Sequence, residues 1–142
     1  MGSFILNNKK IHTSFREYLF SPAVYIFFPV AILFHISLEL YHRIVFFGYK
    51  IPYVLMKDFF IFDRHKISHL NTLQKFNCIY CSYINGLMAY GKEIAGRSER
   101  YWCPFKHKDN QPTQPHNHYN KFMDFDFDDD IIKNQIDLRK FK

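Results

Sequence analysis

The side chains best suited to metal chemistry lie in two short pairs. Cys78 and Cys81 form a C-x2-C pair, and Cys103 and His107 form a C-x3-H pair after the 21 residues 82–102. Thiolate and imidazole are the ligands that Zn²⁺ prefers, and each short pair can present two donors from one turn. The spacing therefore predicts a closed, structural Cys3His zinc site made by these four residues.

Other chemistry is open to the same residues. Three cysteines and one histidine can also hold an iron–sulfur cluster, and spacing does not separate the two metals. Cys78 and Cys81 could instead be a redox dithiol at the N-terminus of a helix, where the helix dipole lowers a thiol pKa. The cysteines could also be small core residues. An odd number of cysteines does not suit a disulfide framework.

Further polar residues offer weaker sites. His65 and His69 have the i, i+4 spacing that can chelate a metal on a helix, and they could equally be surface histidines. Two histidines and an acidic run in the tail could gather divalent cations or form a solvated tail (His116, His118 and 124–130). Four charged residues of the central region could orient metal ligands or form salt bridges on a solvated helix face (Glu93, Arg97, Glu99 and Arg100).

A helix is expected between the two ligand pairs. Residues 82–100 have a helical period, with one stripe of small and apolar side chains (Ile84, Leu87, Met88, Gly91, Ile94 and Ala95). This helix would return the chain and bring the pairs together. Asp63 is expected to cap an earlier helix that runs to about Phe76. Residues 48–52 indicate a turn, and 53–62 a short strand or an aromatic stretch at a membrane surface.

The N-terminal part indicates a membrane segment. No charged residue occurs from Leu19 to Phe34, and the apolar pattern continues to 47. About 20 apolar residues are needed to cross the hydrocarbon core, and 19–40 supply that length. His35 and Glu39 interrupt the pattern on one helix face, where they could face a partner or the lipid headgroups. The small residues of a signal-peptide cleavage site do not follow. The segment could cross the bilayer or lie in its plane. The alternative to both is a core element of a soluble oligomer.

Charge and motifs narrow the function classes. The 142 residues include 19 Lys and Arg against 13 Asp and Glu, a net charge of +6, which favours an anionic surface. The basic residues are dispersed and the acidic run opposes phosphate binding, so membrane lipid is favoured over nucleic acid. No phosphate-binding loop, G-x-S-x-G or H-E-x-x-H motif is present, which favours a non-enzymatic role.

The stretch 80–107 ends in Tyr-Trp-Cys-Pro-Phe-Lys-His and, with the C-x2-C pair, resembles a family of small uncharacterised bacterial proteins. Members of that family have a hydrophobic N-terminal segment, a C-x2-C and a Tyr-Trp-Cys-Pro-x-Lys-His ending. The resemblance is sharpest over 80–107. It implies the position of the site and a membrane association, but no activity.

The sequence thus predicts a mainly α-helical protein with an N-terminal membrane helix and a small helical domain closed by a Cys3His knuckle. The expected parts are a basic segment (1–18), a membrane segment (19–47), a Cys/His domain (48–108) and a polar, partly acidic tail (109–142). We expect a membrane-anchored zinc module that acts through a protein partner or a second copy of the chain. The alternative is an electron-transfer component that uses an iron–sulfur cluster or the Cys78/Cys81 dithiol. The resemblance implies a bacterial inner membrane, and the positive-inside rule favours a cytoplasmic C-terminal domain.

Overall fold

A computed structural model describes residues 5–7, 10–12, 15–108 and 115–126. The protein is mainly helical, as predicted. A two-stranded antiparallel ribbon, β1 (Ile5–Asn7) and β2 (Lys10–His12), precedes three helices. The helices are α1 (Phe15–Tyr25), α2 (Phe27–Tyr49) and α3 (Thr72–Trp102). Short 3₁₀ turns lie at Met56–Asp58, Arg64–Lys66 and Tyr119–Lys121.

The chain divides into two compact units. The first contains residues 1–38 and 55–88, and the second contains residues 39–54 and 89–142. In the first unit Ala31, Gln74 and Leu87 are buried. In the second unit the buried apolar side chains come from the end of α2, the loop after it, α3 and the segment that follows (Phe46, Ile51, Val54, Tyr90, Ile94, Tyr119 and Phe122).

A proline explains why α1 and α2 are separate helices. Proline has no backbone N–H, so Pro29 cannot donate to the carbonyl of Tyr25 four residues earlier. The first helix ends at Tyr25, Ile26 is a turn, and α2 begins at Phe27, which places Pro29 in the first turn of α2. In a first turn the missing N–H would have no helical partner in any case, so proline is tolerated there.

The stretch Leu19–Tyr49 is long and apolar enough to cross a membrane. Only 6% of its most apolar window is buried in the protein. A core helix of a soluble protein would be mostly buried, whereas here side chains such as Leu33 and Ile36 are more than 60% exposed. The predicted membrane segment is therefore present as one candidate span near the N-terminus.

The second helix ends in a Schellman motif. The Ile51 N–H donates to the Phe46 carbonyl (3.0 Å) and the Lys50 N–H donates to the Phe47 carbonyl (3.4 Å). Lys50 has a φ of 55°, in the left-handed region that this motif needs. Phe46 and Ile51 are both buried, which is the apolar contact that accompanies the motif. This geometry forms the predicted turn near 48–52.

The third helix differs from the prediction in its length. Asn71 and Gln74 form a reciprocal cap, since the Gln74 N–H donates to Asn71 Oδ1 (2.8 Å) and the Asn71 N–H donates to Gln74 Oε1 (3.0 Å). One unbroken helix then runs from Thr72 to Trp102 and includes the predicted 82–100. The helix predicted to start at Asp63 was wrong. Asp63 precedes only a 3₁₀ turn and makes no side-chain cap bond there.

The predicted strand within 53–62 was also wrong. These residues form irregular chain and the 3₁₀ turn at Met56–Asp58. The aromatic residues of this stretch pack outside a sheet. For example, the Phe60 ring stacks on the His35 ring (ring centroids 5.5 Å).

Candidate functional site

The C-x2-C pair lies inside α3. Cys78 is half-buried and Cys81 is exposed, and both are free thiols. They lie in the second and third turns of the helix, beyond the first turn where the helix dipole acts on a charge. The hypothesis that they stand at a helix N-terminus was therefore wrong.

Helix geometry also opposes a Cys78–Cys81 disulfide. Residues three apart on an α-helix have Cβ atoms about 5–6 Å apart. A disulfide needs Cβ atoms about 3.5–4.5 Å apart. The dithiol could close only if α3 unwound locally.

Cys103 and His107 follow the end of α3. Cys103 is exposed, and its backbone N–H donates to the Glu99 carbonyl (2.7 Å). The backbone N–H of His107 donates to the Tyr119 hydroxyl (3.0 Å), and the two rings stack at 6.3 Å. Both residues belong to the second unit, whereas Cys78 and Cys81 belong to the first.

The predicted zinc ligands are not assembled in the described residues. Among them, no group of three or more His, Cys, Asp and Glu side chains could hold a metal ion. The prediction required the chain to turn back between the two pairs, but α3 continues without a break to Trp102. His65 and His69 do not share a helix either, because His65 lies in a 3₁₀ turn and His69 follows it. Zinc and iron–sulfur binding stay predictions.

Cys81 lines a cavity of about 490 Å³ in the first unit. One wall is the segment that precedes α3 (Phe59, Ile61, Asp63 and Arg64), and the other is a face of α3 (Cys81, Ser82, Asn85 and Gly86). Two smaller cavities of the unit are about 320 and 180 Å³, and the smallest is lined by aromatic and aliphatic side chains. The largest of these three therefore combines a thiol, a hydroxyl, an amide and both signs of charge.

A close backbone contact sets the shape of this cavity. A Cβ added at Gly86 would lie 2.8 Å from the Phe59 carbonyl oxygen and 3.2 Å from the Phe60 ring. Only glycine lets the segment and the helix approach this closely. His35 packs beside this contact, since it stacks on Phe60 and bonds to the Tyr83 hydroxyl (3.1 Å).

The second unit holds a buried polar network that connects α2 and α3. The Tyr90 hydroxyl lies 2.5 Å from Glu39 Oε1 and 2.9 Å from His42 Nδ1. Tyr90 is 1% exposed and His42 is 3% exposed. Burial, together with the hydrogen bond to the Glu39 carboxylate, raises the pKa of Tyr90 far above its ordinary value, so the hydroxyl stays protonated.

One backbone N–H, that of Val54, determines the direction of the hydrogen bonds from His42 to Tyr90 and from Tyr90 to Glu39. The Val54 N–H donates to His42 Nε2 (3.1 Å), so that nitrogen carries no proton. The neutral ring then carries its proton on Nδ1 and donates to Tyr90, whose own proton is donated to Glu39. Arg43 Nε donates to the other Glu39 oxygen (3.3 Å). His42 therefore holds the loop after α2 and orients Tyr90.

A second polar network, centred on Glu93 and Arg97, joins α3 to the loop before it and to the segment after it. Arg97 donates to Glu93 (2.8 Å) and to the carbonyls of Pro52 (2.8 Å) and Tyr53 (3.2 Å). Glu93 also bonds to His118 Nε2 (3.0 Å). Burial alone would raise the pKa of Glu93, but the bonds from His118 and Arg97 hold it below its ordinary value. The predicted salt bridge of Glu93 and Arg97 is thus present, but the solvated face expected for it was wrong, because the pair is part-buried.

The histidines of the tail bind to α3. His116 Nε2 lies 2.8 Å from Glu99, and its ring lies against Gly96, where an added Cβ would be 2.6 Å from the ring. Backbone bonds from Lys106 to Met123 (2.8 Å) and from Met123 to Pro104 (2.9 Å) pair the segment with the chain after α3. Residues 116–123 therefore form a strap on the second unit, which the sequence did not predict.

The sequence contains faint signals for these groups. Glu39 and His42, three residues apart in a mostly apolar helix, are the kind of ionisable pair that would mark a functional or structural site in a membrane segment. Glycines inside a helix at 86 and 96 indicate close approach of other chain. No local signal identifies Tyr90 as their partner, because the contact joins residues 48 positions apart.

The chain matches no known protein family, no curated protein and no solved structure.

Proposed function

We propose that this protein is a membrane-anchored binding protein, and that the Cys81 cavity holds a small polar molecule. The observation that carries this proposal is the cavity of about 490 Å³, which has polar and charged side chains on both walls. Binding sites for small molecules are typically clefts of roughly 300–1,000 Å³ with a few placed polar groups.

The anchor supports the same proposal. The exposed apolar side chains of Leu19–Tyr49 need a lipid environment, because water would leave a large apolar surface unburied. The first unit contains both part of this stretch and the cavity. A ligand bound in the cavity would therefore be held by a protein that is fixed at a membrane.

Native mass spectrometry of the full chain, extracted gently from its membrane, tests the proposal. Asn85→Trp would fill the cavity, since Asn85 lines it, and Met88→Trp is the matched control, because Met88 is also exposed on α3 and does not line the cavity. We expect a bound small molecule on the wild-type chain and on Met88→Trp, and its loss from Asn85→Trp. A bound mass that is the same in all three proteins, or no bound mass in any, would overturn the proposal.

A further inference from the structure

We infer that the ligand of the Cys81 cavity is a zwitterion, with a primary ammonium and an acidic group a few atoms apart. This inference rests on the proposed function and names its ligand class. It is carried by two adjacent side chains of opposite charge on one wall, Asp63 and Arg64.

The two charges are accessible for a ligand. Both residues are exposed at the cavity wall. Within the part of the chain that the structure describes, neither side chain takes part in an ion pair. An arginine that lines a cavity without an acidic partner can bind a carboxylate or phosphate through two parallel hydrogen bonds. The neighbouring aspartate can accept hydrogen bonds from an ammonium group.

The pairing of the charges selects against ligands of a single charge. Both side chains line the same cavity, so both charged groups can act on one ligand. A simple anion would gain from Arg64 and be repelled by Asp63, and the reverse holds for a simple cation. A zwitterion satisfies both, and Ser82 and Asn85 on the opposite wall add neutral hydrogen-bonding groups.

The cavity keeps a defined shape because it is built on a close contact. Gly86 lets the Phe59 carbonyl approach α3, and Phe59 and Ile61 supply an apolar surface beside the charges. Such a site suits a headgroup with a short apolar attachment as well as a free amino acid. The shared chemistry could thus come from an ethanolamine phospholipid of the membrane or from a soluble zwitterion.

Protection of Cys81 from alkylation measures ligand binding in the cavity. The full-length protein in detergent is alkylated with N-ethylmaleimide, and the rates at Cys81 and Cys103 are measured by mass spectrometry. Cys81 lines the cavity, whereas Cys103 is equally free and exposed but lies in the second unit, so it is the internal control. The probes are phosphoethanolamine, serine, phosphocholine, inorganic phosphate and ethanolamine.

We expect phosphoethanolamine or serine to slow alkylation of Cys81 and to leave Cys103 unchanged. Phosphocholine, inorganic phosphate and ethanolamine should need about tenfold higher concentrations, because each lacks one charge-assisted hydrogen bond. Asp63→Asn should remove the preference for phosphoethanolamine over phosphocholine, and Arg64→Gln should weaken binding of both.

A comparison of nanodiscs made of phosphatidylethanolamine with nanodiscs made of phosphatidylcholine distinguishes the two sources of the ligand. Protection of Cys81 in phosphatidylethanolamine without added solute assigns the ligand to the lipid. Absence of that protection assigns the ligand to the soluble zwitterion.

Three results would overturn the inference in different ways. If all five probes protect Cys81 equally, or if neither variant alters the preference, the cavity binds small molecules but does not select zwitterions, and the proposed function stands. If no probe protects Cys81 while a bound molecule is seen by native mass spectrometry, the ligand belongs to another class. If no probe protects it and nothing is bound, both proposals fail.

Discussion

At the scale of single residues, the second unit depends on buried polar groups that each have a defined partner. Tyr90 accepts from His42 Nδ1 and donates to Glu39 Oε1, so its hydroxyl supplies the partner of both atoms. A buried polar group without a partner costs about 1–3 kcal/mol. The composition of the chain identifies the aromatic residues, but it does not show which hydroxyl is buried between two ionisable groups.

Tyr90→Phe should therefore destabilise the protein by about 2 kcal/mol, because the ring remains while His42 and Glu39 lose their common partner. Tyr49→Phe is the control, since the Tyr49 ring makes aromatic contacts that phenylalanine keeps. Chemical unfolding in detergent, followed by circular dichroism, measures the difference. Equal stability of the two variants would show that the network contributes nothing.

Glu93 should make the second unit sensitive to acid. Its folded-state pKa is held below the ordinary value of 4.5 by His118 and Arg97, so its contribution is present above that value and is lost as the pH falls through the folded pKa. His118 comes from the strap, and the neighbouring pair of His116 and Glu99 joins the same strap to α3. Thermal unfolding of the wild type should decline more steeply below about pH 4.5 than that of Glu93→Gln. Parallel curves would contradict this assignment.

The cysteine pair gives a redox prediction. Because Cys78 and Cys81 lie within an unbroken helix, mild oxidation of the purified protein should not join them. Peptide mass spectrometry after oxidation measures the linkage. A Cys78–Cys81 disulfide in protein that keeps its helix content would overturn the helical placement and support the dithiol alternative.

At the scale of elements, two glycines of α3 let other segments approach the helix closely: Gly86 lies against Phe59 and Gly96 against His116.

The sequence correctly indicated a helix over 82–100 because its apolar stripe has a helical period. It indicated two separate helices, one ending at about Phe76 and one over 82–100, and did not show that they form one helix from Thr72. The start of that helix depends on Asn71 and Gln74 acting together as a cap. Nor could spacing alone show that the two ligand pairs stay unassembled, because that depends on the helix continuing unbroken to Trp102.

Gly86→Ala should destabilise the first unit by roughly 1–3 kcal/mol, because the new methyl group would meet the Phe59 carbonyl at 2.8 Å. This cost exceeds the gain of about 1 kcal/mol that alanine brings to a helix. Gly48→Ala is the matched control within α2, where nothing lies within 4 Å of the added atom, so that variant should be slightly more stable than the wild type. Thermal unfolding in detergent should shift in opposite directions for the two variants. A shift of the same sign in both would argue against the close contact.

Lys50→Gly should stabilise the end of α2 by about 1 kcal/mol, because glycine adopts the left-handed conformation at 55° without a Cβ penalty. Lys57→Gly, a substitution of another exposed lysine whose backbone lies in a 3₁₀ turn, should bring no such gain. The measurement is the free energy of chemical unfolding. A loss of stability in Lys50→Gly would contradict the Schellman assignment.

At the scale of the whole molecule, the proposed function combines a candidate membrane span with a polar cavity. The candidate span was predictable, since length and hydropathy are properties of the sequence alone, and Leu19–Tyr49 has both. The cavity was not, because it depends on Asp63 and Arg64 lying across from Cys81 and Asn85, and no spacing rule relates those positions. Cys81 was identified from the sequence, but as a metal ligand and not as the wall of a cavity.

The decisive experiment on the proposed function compares alkylation of Cys81 in isolated membranes with alkylation in the same protein after extensive washing in detergent. A membrane-anchored binding protein with an occupied cavity should stay with the membranes, and N-ethylmaleimide should modify Cys81 more slowly there than after washing. The rate at Cys103, which is exposed and lies outside the cavity, should be the same in both preparations. Recovery of the protein in the soluble fraction, or a ratio of the Cys81 and Cys103 rates that washing leaves unchanged, would contradict the account.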